Sequence, residues 1–235
     1  MTQIEILTIF PDLFGPFVSN SLIGKACSRS ILSINLLNIR DFTPPPHHHV
    51  DDVPYGGGAG MLFKPEPLTA AIEDAKKRLP NGKVILTTPA GKLFKQGDAA
   101  RLAKQDQIIF ICGRYEGIDD RVRELFVDES FSIGDFVLMG GEVPAMAMIE
   151  AIVRLQDTVL GNSESIIQES FSDDSSGRVL LEPPQYTRPA LFRGLKVPEV
   201  LLSGDPKKIE LWRKEEALKR TKLYRPDLLE KVDER

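Results

Sequence analysis

The chain has 235 residues, of which 42% are hydrophobic, and its formal net charge is −4. This composition predicts a globular protein with one sizeable core and a smaller appendage. Only two cysteines, Cys27 and Cys112, are present, which is too few for a disulfide framework, and they lack metal-site spacing. The amino terminus lacks signal-peptide features and no apolar run approaches ~20 residues, so we expect a cytoplasmic protein without membrane association.

Short β-branched runs alternate with helix-like or glycine-rich stretches along most of the chain. The runs predicted as strands are IEILTIF, ILSINLLNI, KVILTT, QIIFIC and ELFVDESFSI. The stretches predicted as helices are KPEPLTAAIEDAKKRL, LFKQGDAARLAKQ and VPAMAMIEAIVRLQDTVL. This alternation predicts an α/β fold with a mostly parallel sheet and helices on both faces.

Glycine-rich turns follow three of the predicted strands, in the segments TTPAG, CGRYEG and SIGDFVLMGG. Ligands of such sheets bind outside the carboxyl ends of the strands, where these turns converge. Glycine adopts positive φ and lets main chain approach a ligand closely. The sequence therefore predicts a small-molecule pocket lined by backbone at Gly113, Gly117, Gly134, Gly140 and Gly141.

Two features precede this region. The run His47–His49 is a weak metal candidate, because adjacent histidines on a proline-stiffened loop point in different directions. The following loop, VDDVPYGGGAGML, lacks the Lys-Ser/Thr pair of a phosphate-binding P-loop. It is interpreted as a flexible loop that covers a substrate, with a ligand-free cluster of tight turns as the alternative.

Composition changes divide the chain into three parts: an α/β domain over residues 1–160, a linker over 161–180 and a small carboxy-terminal domain over 181–235. The stretch LGNSESIIQESFSDDSSGRVLLEPPQYTRP, which contains the linker, is rich in Ser, Asp, Gly and Pro and has little periodicity until its end. From Lys207 to Arg225, eight Lys or Arg stand against three Glu, a local charge of +5 that leaves −9 elsewhere. This basic segment indicates either a phosphate-binding surface or a solvated helix with pairs such as Glu210–Lys214 and Glu215–Lys219.

Several motifs together carry a resemblance to a known family: RDFT, VDDVPYGGGAGM, CGRYEG, SIGDFVLMGGEVPAM, the helix with Arg154, ESF and PPQYTRP. In order and spacing they resemble the bacterial tRNA (guanine-N1)-methyltransferases of the TrmD family. The resemblance implies methyl transfer from S-adenosylmethionine to the guanine just 3′ of the anticodon. It also implies a homodimer of the SPOUT class, with a deep trefoil knot in the parallel-sheet domain and a small helical carboxy-terminal domain that binds tRNA.

The resemblance assigns the cofactor pocket to three stretches and to the start of a helix. Apolar walls and free main-chain groups in these stretches suit an adenine ring. The implied cofactor-binding residues are Leu86, Thr87, Thr88, Pro89, Gly113, Tyr115, Gly117, Ile133, Gly134, Asp135, Phe136, Val137, Leu138, Gly140, Gly141 and Pro144.

The resemblance also assigns catalytic residues. Glu169 stands where the family usually has Asp and would act as the general base that removes the guanine N1 proton. Arg154 would donate to guanine O6 as negative charge develops there. Glu116 and Asp119 would orient the cofactor or hold Mg²⁺, with the metal-binding residues left open. The linker is predicted to be mobile over residues 162–176 without RNA.

For RNA binding, the resemblance favours the phosphate-binding interpretation of the basic segment and implies Lys207, Lys208, Arg213, Lys214, Lys219, Arg220 and Lys222. Each active site is expected between two subunits, and no other protein partner is indicated. Three alternatives stay open. They are a methyltransferase acting on another RNA guanine, a non-catalytic RNA-binding module and a Rossmann-like nucleotide enzyme, although the last lacks a GxGxxG turn.

Overall fold

The computed structural model of the protein describes residues 1–156, 159, 169–173 and 179–229. The chain divides into two compact units, Met1–Gly161 and Asn162–Arg235. The predicted linker 161–180 and its predicted mobility lie largely outside the described residues, which include only 169–173 and the end of that segment. No helix in the described ranges is long and apolar enough to cross a bilayer.

The first unit is built on a five-stranded sheet in the order β2-β1-β6-β5-β7, and every pairing in it is parallel. This finding confirms the predicted parallel α/β architecture. A separate two-stranded antiparallel ladder joins β3 and β4. The strands are β1 (Thr2–Thr8), β2 (Leu32–Asn38), β3 (Asp51–Asp52), β4 (Leu62–Phe63), β5 (Lys83–Leu93), β6 (Gln107–Cys112) and β7 (Glu129–Ser132).

Helices cover both faces of the sheet, as predicted. On one face, Ala99 and Ile149 pack in a core with Ile4, while on the other Leu68 and Val122 pack in a core with Leu7. Successive strand residues point to opposite faces, so a fully buried strand such as β6 supplies both cores. The helices are α1 (Gly15–Ser19), α2 (Ser21–Ser28), α3 (Pro65–Arg78), α4 (Gln96–Leu102), α5 (Asp120–Phe126) and α6 (Glu142–Val153), with 3₁₀ turns at Pro11–Phe14 and Ile39–Phe42.

The predicted strand ELFVDESFSI is wrong in its first half, because its residues Glu124–Phe126 end helix α5. Asp119 caps that helix by accepting a hydrogen bond from the Arg121 N–H at 3.0 Å, and buried Val122 packs its inner face on the core. Only Glu129–Ser132 forms the strand, β7. The helix predicted over VPAMAMIEAIVRLQDTVL ends at Val153, and residues 157, 158 and 160 of that stretch lie outside the described residues.

Strand β5 is longer than the predicted KVILTT and is interrupted where the TTPAG turn was expected. Its pairing with β7 changes register between Thr87 and Lys92. A Cβ added at Gly91 would lie 2.6 Å from the Phe131 Cα, so only glycine allows this close approach to β7. The bulge therefore keeps the strand in the sheet while it brings residues 88–90 to the carboxyl edge.

The second unit contains two short antiparallel ladders and one long helix. The Leu181 N–H donates to Thr221 Oγ1 at 2.9 Å, which ties the segment after β9 to a buried position on the long helix. The elements are β8 (Ser172–Asp173), β9 (Val179–Leu180), β10 (Leu191–Phe192), β11 (Leu195–Lys196), α7 (Glu199–Leu202) and α8 (Pro206–Tyr224), with a 3₁₀ turn at Pro226–Leu228. Helix α8 contains the predicted helix around Ile209–Thr221.

Candidate active site

A cavity of about 600 Å³ lies at the carboxyl edge of the sheet in the first unit. It is enclosed by three segments: the end of β5 over 86–90, the turn after β6 over 113–118 and the loop after β7 over 130–141. Pro144 of α6 completes the wall. The three glycine-rich turns therefore converge at one cavity, as the sequence predicts for a parallel sheet.

The structure brings together all but one of the residues predicted to bind a cofactor. Asp135 is the exception, because it is exposed and does not line the cavity. Within the cavity lie Leu86, Thr87, Thr88, Pro89, Gly113, Tyr115, Gly117, Ile133, Gly134, Phe136, Val137, Leu138, Gly140, Gly141 and Pro144. The predicted catalytic residue Glu116 also lines it.

Other lining residues were missed by the sequence interpretation. Ser130, Phe131 and Ser132 belong to β7, and their position just before the predicted Ile133–Leu138 run was the available signal. Ser132 Oγ donates to the Gly134 carbonyl at 2.9 Å and accepts from the Gly134 N–H at 3.2 Å, which fixes the turn leaving the strand. The remaining missed residues are Ala90, Arg114, Ile118, Asp120, Arg123 and Met139.

The glycines serve the cavity in two different ways. Gly117 and Gly134 have φ of +130° and +157°, whereas Gly113, Gly140 and Gly141 do not have positive φ. At Gly141 the reason is space, because an added Cβ would overlap Thr87 Oγ1 and lie 2.8 Å from the Gly113 nitrogen. The Gly141 N–H donates to the Gly113 carbonyl at 2.7 Å, so main chain packs directly on main chain behind the cavity.

A buried ion pair supports the same wall. Glu142 is 1% exposed at the start of α6, where its Oε2 accepts from Arg114 Nε at 2.9 Å and its Oε1 from Thr8 Oγ1 at 2.8 Å. Arg114 Nη1 also donates to the Met139 carbonyl at 3.2 Å. The amino-terminal end of a helix favours a carboxylate, so the pair holds the loop and the helix together. Glu142 and burial together raise the pKa of the Cys112 thiol, with burial the larger cause.

Tyr115 stands at the edge of the cavity in the left-handed backbone region, with φ of +61°. Its ring meets Phe63 edge-on with the centroids 5.3 Å apart. Burial raises the pKa of Tyr115, with Asp51 adding to this shift and Arg40 opposing it. These neighbours connect the cavity edge to the RDFT and VDD segments, which sequence separation alone would not bring together.

The glycine loop between β3 and β4 packs beside Glu116. The Glu116 N–H donates to the Met61 carbonyl at 2.9 Å, and an added Cβ at Gly60 would lie 2.6 Å from Glu116 Oε1. Gly60 also has φ of +87°. The loop predicted to cover a substrate is therefore next to a residue that lines the cavity.

The candidate magnesium ligands, Glu116 and Asp119, do not belong to a cluster of metal ligands. Among the described residues, no three His, Cys, Asp or Glu side chains come together as metal ligands. Asp119, one of the two candidates, accepts from Arg121 Nη2 at 2.7 Å and from the Arg121 N–H. In the histidine run, His48 Nδ1 lies 3.0 Å from the Arg40 carbonyl and 3.2 Å from Thr43 Oγ1.

Arg154, one of the two main catalytic candidates, does not line the cavity. Arg154 directly follows α6, whose other end carries Pro144, so about 15 Å of helix separates Arg154 from the wall. Glu169 belongs to the second unit. Next to it, Ser170 Oγ accepts from the Glu182 N–H at 3.1 Å and the Phe171 N–H donates to the Leu180 carbonyl at 2.8 Å.

The predicted RNA-binding residues are all exposed on helix α8. Lys208, Lys214 and Lys219 form ion pairs with carboxylates of the same segment, and Glu216 replaces the predicted Glu215 as the partner of Lys219. The pairing of Lys214 with Glu210 at 2.7 Å is as predicted. Within the described ranges, no ion pair joins Lys207, Arg213, Arg220 or Lys222 to a carboxylate.

The fold and cavity define a parallel α/β protein with a cavity at the carboxyl ends of its strands. Residues 2–231 match the family model described as tRNA (Guanine-1)-methyltransferase TrmD, and the chain belongs to that family.

Relatives named tRNA (guanine-N(1)-)-methyltransferase match nearly the whole chain. The protein of Lacticaseibacillus paracasei is 52% identical over 231 residues, covering 98% of this chain and 88% of its own length. That of Geotalea uraniireducens is 52% identical over 227 residues, covering 97% and 90%. That of Lactobacillus helveticus is 53% identical over 229 residues, covering 97% and 91%.

Proposed function

We propose that this chain transfers a methyl group from S-adenosylmethionine to N1 of the guanine immediately 3′ of the anticodon in tRNA. The observation that carries the proposal is the cavity at the carboxyl edge of the sheet, formed by the motifs that match the family. A tRNA substrate implies a cytoplasmic enzyme.

The cavity suits the proposed methyl donor. Its volume of about 600 Å³ lies within the usual range for small-molecule sites, and its wall combines apolar side chains with glycine backbone. Ile133, Val137 and Leu138 would pack on the adenine, while main-chain groups near Gly113 and Gly140 would recognise its polar edge. When bound, the donor supplies an electrophilic methyl group on a sulfonium.

A trefoil knot would account for the tight packing of main chain behind the cavity. The stretch around Gly141 passes between Thr87 of β5 and the backbone after β6, with no room for a Cβ. Such a crossing of three segments is expected where a chain end has been threaded through a loop. Knots are nearly absent among folds, so this part of the proposal rests on the family rather than on general topology.

Guanine N1 carries a proton and becomes nucleophilic when that proton is removed. Glu169 would accept it as the general base, and hydrogen bonds of the neighbouring Ser170 and Phe171 hold the adjacent backbone against residues 180–182. Arg154 would donate to O6, where the negative charge of the deprotonated ring accumulates. Glu116 would orient the bound groups from the cavity wall.

The position of Arg154 supports a shared active site. A helix about 15 Å long separates it from the wall of the cavity in its own chain. In a homodimer, Arg154 and Glu169 of one chain would act at the cavity of the other chain, so Arg154 would not have to reach the cavity of its own chain.

Helix α8, in the proposed carboxy-terminal helical domain, would bind phosphates of the tRNA. Its unpaired basic side chains, Lys207, Arg213, Arg220 and Lys222, are the better candidates, because no carboxylate among the described residues neutralises them. Lys208, Lys214 and Lys219 would first have to leave their ion pairs. Phosphate contacts of this kind weaken steeply with salt.

The experiment that tests the proposed function is methyl transfer to a tRNA transcript, followed by mapping of the modified nucleotide. Methylation at N1 blocks base pairing, so reverse transcription should stop at the guanine 3′ of the anticodon. A stop at another guanine would favour the alternative RNA substrate. Tight tRNA binding without cofactor binding or methyl transfer would favour a non-catalytic RNA-binding module.

A further inference from the structure

The second unit presents a small β-hairpin whose strands are β10 and β11. Leu191 pairs with Lys196 and Phe192 with Leu195, so the connection contains only Arg193 and Gly194. These two residues have φ of +49° and +85°. Positive φ at both central positions is the pattern of a tight hairpin turn whose twist matches the strands.

This hairpin is unusual because its apolar side chains are not buried. Phe192 is 61% exposed and Leu195 is 77% exposed, and Leu191 is exposed as well. An isolated two-stranded hairpin has marginal stability in water, and strands normally bury one face. Phe192 and Leu195 are paired across the hairpin and share one face, and an exposed apolar pair of this kind marks a surface that binds a partner.

The charges around the hairpin indicate the chemistry of that partner. Between Arg188 and Lys196 the chain carries three basic residues and no acidic one. The Arg193 guanidinium carbon lies 5.4 Å from the centre of the Phe192 ring. An exposed aromatic ring beside cations is how proteins bind unpaired nucleotides, since the ring stacks on a base and the cations attract the phosphates.

The same charges argue against contact between this hairpin and the hairpin of a second copy. A two-fold axis through the hairpin would place the basic residues of one copy against those of the other. Like charges placed together across an interface oppose association. An RNA with unpaired bases provides a base that stacks on the ring and phosphates that pair with the cations.

We infer that the hairpin Leu191–Lys196 is a stacking element, on which an unpaired base of the RNA substrate packs against the ring of Phe192. The inference rests on the proposed function, because it takes a tRNA with an unpaired loop as the substrate. Helix α8 would contact phosphates of the RNA, and the hairpin would add a contact with the face of a base. It therefore gives the second unit a means of distinguishing looped RNA from a plain duplex.

The test compares two RNAs with the full-length chain: a tRNA anticodon stem-loop and a fully paired duplex with the same number of phosphates. Phe192→Ala is expected to weaken stem-loop binding roughly 5- to 100-fold while duplex binding changes less than about two-fold. Phe192→Trp should bind the stem-loop like the wild type, whereas Phe192→Leu, which keeps an apolar side chain, should not. Leu202→Ala is the matched control, because Leu202 is also 61% exposed in this unit.

Three results would overturn the inference: equal loss for the duplex and the stem-loop, full stem-loop affinity in Phe192→Leu, or a lower molar mass of Phe192→Ala in light scattering. The last result would identify a second copy as the occupant. Circular dichroism of each variant checks that the fold is retained, and Phe192→Leu keeps the test valid if the alanine variant unfolds. If the preference for the stem-loop depends on Phe192 but the wild-type chain does not methylate tRNA, the proposed function is refuted and the stacking inference is not.

Discussion

Arg114 and Glu142, 28 positions apart in sequence, form an ion pair with Nε 2.9 Å from Oε2 at the wall of the cavity. The carboxylate is almost completely buried, and Thr8 Oγ1 donates to its other oxygen. Through Arg114 Nη1 the pair also holds the Met139 carbonyl. The same contact therefore connects the turn after β6, the loop after β7 and the start of α6.

Glu142→Gln should destabilise the fold and weaken cofactor binding, because it leaves the Arg114 charge without its buried partner. Breaking a buried ion pair lowers the free energy of unfolding by about 3–5 kcal/mol. Because Arg114 is partly exposed, we expect a loss at or below the lower end of that range. Urea denaturation and S-adenosylmethionine titration provide the two measurements. Glu73→Gln, at an exposed position of α3, should change neither, and a Glu142→Gln chain with unchanged stability would contradict the assigned role.

Gly141→Ala should abolish cofactor binding, because the new methyl group would overlap Thr87 Oγ1 and crowd the Gly113 nitrogen. Removing the hydroxyl with Thr87→Ala should restore only part of the affinity, since the backbone crowding persists. Isothermal titration with S-adenosylmethionine measures both effects. The matched control is Gly97→Ala in α4, where an added Cβ meets nothing within 4 Å. Normal cofactor affinity in Gly141→Ala would show that the wall is not as tightly packed as described.

Removal of Arg213 or Arg220 should reduce tRNA affinity more than removal of Lys214. Lys214 is paired with Glu210, whereas neither arginine has an acidic partner among the described residues. Each lost phosphate contact should lower the slope of log affinity against log salt by up to about 0.9. Filter binding across a salt series measures the slope, with Lys104→Ala in the first unit as the control. An affinity of the wild type that does not vary with salt would remove the phosphate-binding role of α8.

Mixing two inactive chains tests whether the active site is shared. Glu169→Gln lacks the proposed base and Gly141→Ala the cofactor site, so a mixed dimer would contain one intact site if the two parts come from different chains. Co-expressed chains should therefore regain methyl transfer, measured with labelled donor. Each variant alone is the control. A mixture as inactive as its components, with mixed dimers demonstrated by mass spectrometry, would indicate that each site is formed within one chain.

Much of the first unit could be predicted from the sequence, because its determinants are local. Buried strands such as QIIFIC read as continuous apolar runs, and glycine turns after them indicate the ligand edge. Helix α5 was partly missed because ELFVDESFSI contains enough β-branched and aromatic residues to look like a single strand. The cap at Asp119 and the buried side chain of Val122 decide in favour of a helix there.

Contacts between distant residues could not be predicted. Nothing local distinguishes Glu142 from the other acidic residues, since its role depends on Arg114 in the turn after β6 and on Thr8 at the end of β1. The exposed position of Asp135 likewise depends on how the loop turns after Gly134. The hairpin at Phe192 was missed because its Arg-Gly turn is not one of the usual Asn-Gly or Asp-Gly signals.

The most direct test of the proposed function is methyl transfer to a tRNA transcript by the wild type and by Glu169→Gln, with the methylated nucleotide mapped by reverse transcription. We predict a single stop at the guanine 3′ of the anticodon in the wild type. We also predict transfer that is about 10²- to 10⁴-fold slower in Glu169→Gln, with S-adenosylmethionine affinity unchanged. Modification at a different position, or normal turnover by Glu169→Gln, would contradict the proposed function.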